Sequence, residues 1–466
     1  MVPFFPKVIS NRAIAVYLAA LALVSVFFVG YRMLWGYVLA GIVYVTGFFL
    51  LTNRLSETWR VFPEKRFVRN LFYLAFGLRL AWVIISYYYY IAMTGQPFEF
   101  GAADSISYHD EAEWLAGSSW SFVWDYYFGS FGISDVGYPL YLTVIYKLVG
   151  PVVIVPRILK ALLSAYTCVL MYRLSQRTFG EEIGRMVGIM AALMLNLIIY
   201  CGYHLKETEM LFLEVAFLER ADYMFRSHKT TFWNILIPSL LALSMFFFRT
   251  VLGTVAVFSL ATAVLLSNTP SMKRGWKRVT LILWGILSLL VLSGGTIMTE
   301  IEGYWERKEE NLEKKRLEQT LRGNQWAQYA TGAVMAPMVF VLPFSTMVDV
   351  AGQYSQQEKH GGNYVRNFMG FFAILGIFEA LRRKKWRDFA LIGSFVIAYL
   401  GIVSVSGFSN SERFLLPGLP CLIMIWAYGV STLRKNTFKL LTPWCLIVVA
   451  MEFAWAFFKL GSRGLF

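Results

Sequence analysis

The chain has 466 residues, 57% of them hydrophobic and only 15% charged, with 43 Lys and Arg against 29 Asp and Glu for a formal charge of +14. A soluble domain needs about a quarter of its residues charged to cover its surface, so the composition excludes one and indicates a polytopic α-helical membrane protein. In such a chain the surplus of Lys and Arg belongs to loop orientation, not to nucleic-acid binding.

Hydropathy and charge breaks place about 13 crossings of a hydrocarbon core about 30 Å thick. They lie near 13–30, 34–52, 70–94, 153–173, 185–203, 208–224, 232–248, 251–267, 279–297, 366–381, 388–406, 415–432 and 438–458. The first run, MVPFFPKVISNRAIAVYLAALALVSVFFVG, has a basic start and no small-residue cleavage site, and reads as a retained span. With Lys7 and Arg12 inside, the loops NRLSETWRVFPEKRFVR, YRLSQRTFGEEIGR, LERADYMFRSHK, SMKRGWKR, LRRKKWRD and LRKNTFK are cytoplasmic, and each carries a surplus of Lys and Arg. The loop 95–136 then falls outside, with seven acids and no Lys or Arg. Cys168, Cys201, Cys421 and Cys445 sit in apolar segments and read as small hydrophobes, not a disulfide framework.

Two outer segments need separate placement. GYPLYLTVIYKLVG (137–150) is too short to span, and counting it would invert everything after it, so a surface-lying juxtamembrane helix is expected. In 299–365, Glu310 and Lys314 form a favourable i,i+4 pair, and Trp305, Leu312, Leu317 and Leu321 line one face, which predicts an amphipathic helix on the outer surface. MAPMVFVLPFSTMVD after it is broken by Pro and should dip into the interface. No repeat and no soluble domain of ordinary size stands out. The chain divides into two N-terminal spans with a cytoplasmic loop (1–66), a transmembrane core (67–298) with its first outer loop at 95–152, the outer loop 299–365, and C-terminal spans (366–466).

This topology brings four chemically capable groups to the outer face. They are Asp104 with Tyr108, His109, Asp110 and Glu111; His204, Lys206, Glu207 and Glu209 in HLKETE; Arg249 in FFFRTVLG; and Arg413 in SNSERFLLPGLP. Taken singly, an acidic outer loop is a solvated face, and a border Arg snorkels or caps a helix. Together they put carboxylates and guanidinium groups on one face, where ionisable residues at membrane depth are costly and usually line a cavity. The chemistry that suits them is transfer from a lipid phosphate. Arg binds phosphate with a charged fork, fixed cations stabilise the leaving phosphate, and a carboxylate takes the acceptor's proton. A phosphate leaving group needs no general acid, so one inverting displacement suffices.

The chain resembles the GT-C-type polytopic glycosyltransferases, in particular bacterial members similar to protein O-mannosyltransferases and the lipid A aminoarabinose transferase. The resemblance rests on an ordered series over about residues 70–220: LRL in the third span, ADSISYHDEAEWLAG, GYPLYLTVIYKLVG, RILKALLSAYTCVLMYRLSQRTFG, MVGIMAALMLNLIIY and YHLKETEMLFL. FFFRT and ERFLLPGLP follow more weakly. It implies a GT-C-like core, a polyprenyl- or dolichyl-phosphate-sugar donor, and a site on the outer face of the plasma (inner) membrane. The acceptor would be a glycan, lipid or protein of the cell envelope. By the same resemblance the catalytic Asp is Asp104 and the second acidic position Glu207, with Arg249 and Arg413 on the donor phosphate; Lys206, Tyr108, His109 and His204, clustered on the same outer face, read as substrate-binding. Some relatives bind a divalent cation (Mg, Mn or Zn), for which Asp104, His109 and Glu207, with His204, are the available ligands. Two features depart from the family pattern. Two extra spans (13–52) precede the core, and an Asp-Glu pair common in the mannosyltransferases is Asp104-Ser105 here. Two other classes stay open: a polysaccharide polymerase or ligase relying on Arg and His, and a lipid or glycan transporter, which would carry its ionisable residues near the midplane on broken helices.

Overall fold

The computed structural model describes residues 2–129, 135–227, 231–266, 338–405, 411–461 and 465; the expected span at 279–297 and the amphipathic helix expected before 338 lie outside them. In chain order the helices are α1 (Lys7–Phe27), α2 (Trp35–Thr58), α3 (Glu64–Thr94), α4 (Ala103–Ala116), α5 (Trp120–Gly129), α6 (Gly137–Val149), α7 (Ile154–Phe179), α8 (Glu181–Leu193) and α9 (Leu195–Gly202). They continue with α10 (Glu207–Arg226), α11 (Phe232–Phe248), α12 (Thr250–Leu266), α13 (Tyr354–Glu358), α14 (His360–Arg382), α15 (Ala390–Val405), α16 (Glu412–Leu415), α17 (Leu419–Ser431) and α18 (Lys435–Gly461). Among the described residues there is no sheet, only one isolated bridge between Arg32 and Val348.

The chain is an all-α, multi-pass protein. Among the described residues seven helices are long and apolar enough to cross a membrane, and the pair α8–α9, bent by 42°, makes an eighth if counted as one span. Three further expected spans, α11, α12 and α15, are apolar but shorter. The span expected at 208–224 differs in kind. Its helix α10 carries seven ionisable side chains from Glu207 to Arg226 and buries most of them against α7, α11 and α12. By composition alone α10 does not count among the candidate spans, and its charged side chains are mostly buried in protein and not set against lipid.

The break between α8 and α9 shows how this bundle treats backbone away from water. Arg79, fully buried in α3, donates to the carbonyls of Ala191 (3.1 Å) and Ala192 (3.0 Å) at the end of α8, and to Ser164 Oγ (2.7 Å). Tyr44 Oη accepts from the Leu195 N–H at 2.9 Å. Helix ends leave backbone groups orphaned, and at membrane depth they persist only where protein satisfies them. The Arg of the LRL run is therefore a structural cap for a broken span.

The juxtamembrane expectation for 137–150 holds in length: α6 is 13 residues long, and Tyr138, Leu142 and Tyr146 on its inner side pack against α4. The segment 338–349 departs from the interfacial dip expected of it. It is irregular and buried, with the Val341 and Pro343 carbonyls accepting from Asn367 Nδ2 at 2.6 and 2.9 Å and Phe344 packed on Trp455. Its polar backbone finds partners on α14, so it is buried inside protein and not laid on lipid.

Alternation of the helices sorts their termini into two ends. At one, Val2 N–H reaches the Ser431 carbonyl, Arg185 the carbonyls of Trp59 and Phe62, and Arg226 that of Asp388. At the other, Arg157 reaches Pro97, and Tyr90 and Tyr203 reach Glu358. The second end gathers the site residues expected from the sequence.

Candidate active site at one end of the bundle

Four chain segments deliver the site. Asp104 stands in the first turn of α4, where the positive helix end favours a carboxylate. Glu207 opens α10. Arg249 is the extended residue, at φ −163°, that separates α11 from α12. Arg413 lies on α16, a single turn ahead of α17.

The tertiary structure brings all four into contact. Arg413 is shared between two carboxylates: its Nε donates to Glu207 Oε1 and its Nη1 to Asp104 Oδ2. Arg249 Nη2 lies 3.5 Å from the same Glu207 oxygen, its Nη1 is 3.4 Å from Tyr399 Oη, and its guanidinium stacks on Phe414. The side chains grade from inside to outside. Glu207 is 0% exposed, Arg249 13%, Arg413 23% and Asp104 57%. Glu207 Oε2 is buried without a partner, so the inner carboxylate keeps one free acceptor position.

Tyr108, one turn beyond Asp104, is half-buried at this cluster; burial raises its hydroxyl above the usual tyrosine range while Arg413 pulls it the other way. Lys206 Nζ contacts Asp135 and donates to the Phe248 carbonyl at 2.9 Å. Burial, with Arg249 beside it, pushes its ammonium down to about 7 while Glu207 opposes that, and the Asp135 carboxylate it touches also favours the charged form.

The two histidines form a different group. His109 Nδ1 meets Tyr146 Oη at 2.8 Å, and the same hydroxyl meets His204 Nε2 at 3.2 Å. His204 is fully buried, and burial followed by the charges of Arg157 and Lys160 drives its pKa well down; burial also lowers that of His109. Both rings are therefore neutral near pH 7 and hold one another through Tyr146. This arrangement does not assemble the metal ligands expected from the sequence. Asp104 and Glu207 converge on the Arg413 guanidinium, and His109 turns Nδ1 to Tyr146. The carboxylates that do approach His109 are Asp110 and Glu113, on the exposed side of α4.

A second ion network, not singled out in the sequence, braces the first. Glu412, next to Arg413, pairs with Lys359 Nζ at 2.9 Å and accepts from Asn196 Nδ2 at 2.5 Å; Asn196 also donates to Asn363 at 3.0 Å. Through Asn196 the turn that carries Arg413 is tied to the broken span. Glu358 accepts from Tyr90 at 2.7 Å and Tyr203 at 2.9 Å, and burial raises its carboxyl to about 7. The Tyr run at 87–90 and the Glu-Lys-His series just before a span were the available signals. Comparison with protein-family models and with curated proteins returns no match.

Proposed function

We propose that the protein is an integral-membrane glycosyltransferase that moves a sugar from a polyprenyl-phosphate-linked donor to a glycan, lipid or protein acceptor at the outer face of the membrane. The reading includes a GT-C-like core of about 13 spans and a cytoplasmic N-terminus. The observation that supports it most is Arg413 held between Asp104 and Glu207, with Arg249 on Glu207 as well.

Without donor, Arg413 neutralises Asp104. A donor phosphate competes for that guanidinium, since Arg recognises phosphate and carboxylate with the same fork. Once Arg413 turns to the phosphate, Asp104 is free to take the acceptor's hydroxyl proton. The acceptor oxygen then bonds to the anomeric carbon from the face opposite the phosphate. The bond from that carbon to the phosphate oxygen breaks, and its electron pair leaves as a polyprenyl phosphate stabilised by Arg413 and Arg249. Glu207 keeps Arg249 as a counter-charge throughout.

The test uses purified protein in nanodiscs with a panel of polyprenyl-phosphate sugars and mass spectrometry of the products. Transfer that is lost in Asp104→Asn, with binding of polyprenyl phosphate kept, supports the base. Transfer that survives Asp104→Asn in a folded protein refutes it and favours the Arg- and His-dependent polymerase or ligase.

Transport has two observations in its favour: the broken span α8–α9, and the buried Glu214, whose carboxylate oxygens have no hydrogen-bond partner. Against it, the backbone groups at the break, the Ala191 and Ala192 carbonyls and the Leu195 N–H, are met by Arg79 and Tyr44.

A further inference from the structure

The loop between α3 and α7 is more than an acidic cap. Its second helix, α5, starts at Ser119, whose Oγ accepts from the Phe122 N–H at 3.3 Å as an N-cap. Two neighbouring stripes then run along it. Val123 and Tyr127, one turn apart, are buried against Leu115 of α4 and Val136. Trp120, Trp124 and Phe128, at i, i+4 and i+8, are 56%, 59% and 47% exposed. Beside the stripe, Trp114 on α4 is also exposed and packs edge-on against Phe122.

Position decides what covers this stripe. Phe128 packs edge-on against Phe247 at 6.2 Å, and Phe247 lies in the last turn of α11, an apolar helix of the bundle. The aromatic stripe is thus continuous with the surface that the spans present to lipid, where Leu240 of α11 is itself exposed. An open cavity of about 400 Å³ lined by Trp124, Asp125, Phe128 and Gly129 lies on the same side. The stripe carries no charge, and the cation next to it, Lys147, is folded over the Trp120 ring at 4.9 Å with its ammonium donating to the Ala116 carbonyl. Large rings of this kind gather at the boundary between head groups and acyl chains, and a helix with one aromatic face and one packed face lies in that plane.

We infer that α5 lies in the membrane interface with Trp120, Trp124 and Phe128 inserted at the level of the phospholipid head groups and upper acyl chains. This contact fixes the height of α4, and with it Asp104, against the bilayer. It stands apart from the glycosyl-transfer reading and applies whatever the site does.

The test labels Trp124→Cys and, separately, Phe128→Cys with a bimane fluorophore in nanodiscs of phosphatidylcholine. Asp110→Cys on the exposed side of α4 is the aqueous reference, and the parent chain with its four native cysteines, treated alike, is the blank. Expected are blue-shifted emission at 124 and 128, loss of that emission in acyl-brominated phosphatidylcholine, and no quenching by iodide, with the reverse at 110. Iodide quenching at 124 and 128 equal to that at 110, with bromine without effect, overturns the inference. Cross-linking between labelled positions of two copies, growing with protein per nanodisc and shielding the label from bromine, also overturns it and assigns the stripe to self-association.

Discussion

The two ends of the bundle carry similar side chains in opposite arrangements. At the basic end most ion pairs lie within one helix, the exceptions joining Arg177 to α10 and Arg434 to Glu379. Arg185 meets Glu181 and Arg226 meets Asp222 at i,i+4, Arg383 and Arg382 both reach Glu379, and Arg177 bridges neighbouring helices to Glu219 and Asp222 at 2.8 and 2.9 Å. At the other end Arg413 reaches across 206 residues to Glu207 and 309 to Asp104. Local pairs form wherever a helix puts opposite charges a turn apart, and they contribute little. Burying Glu207 beneath two guanidinium groups, and gathering four chain segments at one point, costs desolvation and chain entropy. An arrangement that costly marks a site, while the basic end fits anchoring and orientation.

That contrast breaks most sharply at Asp104. Asp104→Asn should lower glycosyl transfer by about 10²–10⁴-fold, the range for losing a positioned base, with thermal stability nearly unchanged because Asp104 is the exposed member of the cluster. Glu207→Gln should act on both properties. It leaves Arg249 and Arg413 sharing a neutral amide, and a shift of about 3 kcal/mol in detergent unfolding is expected from a broken buried pair. A stable, active Glu207→Gln protein would make the two ends equivalent.

A smaller effect sharpens the comparison through pH. The Glu358 carboxyl is raised to about 7 by burial, so the folded chain holds this proton where the unfolded chain has released it. Its contribution to stability is full below about 4.5 and is lost as pH rises through about 7. Glu358→Gln should flatten that part of a melting-temperature profile, and an unaltered profile would remove Glu358 from the account. Smallest of all, Arg382→Ala at the basic end, with a 59% exposed side chain, should change stability by about 0.5 kcal/mol or less and leave transfer intact.

Much of the fold was legible because lipid imposes a simple rule: apolar runs of spanning length became α1, α2, α3, α7, α14, α16 continued by α17, and α18. Legibility failed where protein replaces lipid as the surroundings. The run 208–224 read as an ordinary span although α10 buries most of its charges in protein, and 338–349 looked interfacial although it is buried. The site was legible in part. Asp104, Glu207, Arg249 and Arg413 were each visible as ionisable residues at span ends on one face, and they do meet. His109 and His204 were grouped with them by position but belong to Tyr146. Lys359 and Glu412, which brace Arg413, were missed because neither has a local partner to reveal it.

What the sequence determined by itself is a helical, multi-pass chain whose acids and bases are sorted by loop, since hydropathy and charge act on each segment independently. Only the tertiary structure decided which carboxylate shares which guanidinium, that α8 and α9 are one broken span capped by Arg79, and that α5 turns an aromatic stripe outward. Those outcomes depend on packing between segments distant in sequence, and no local pattern records where the chain will bring two side chains within 3 Å or so of one another.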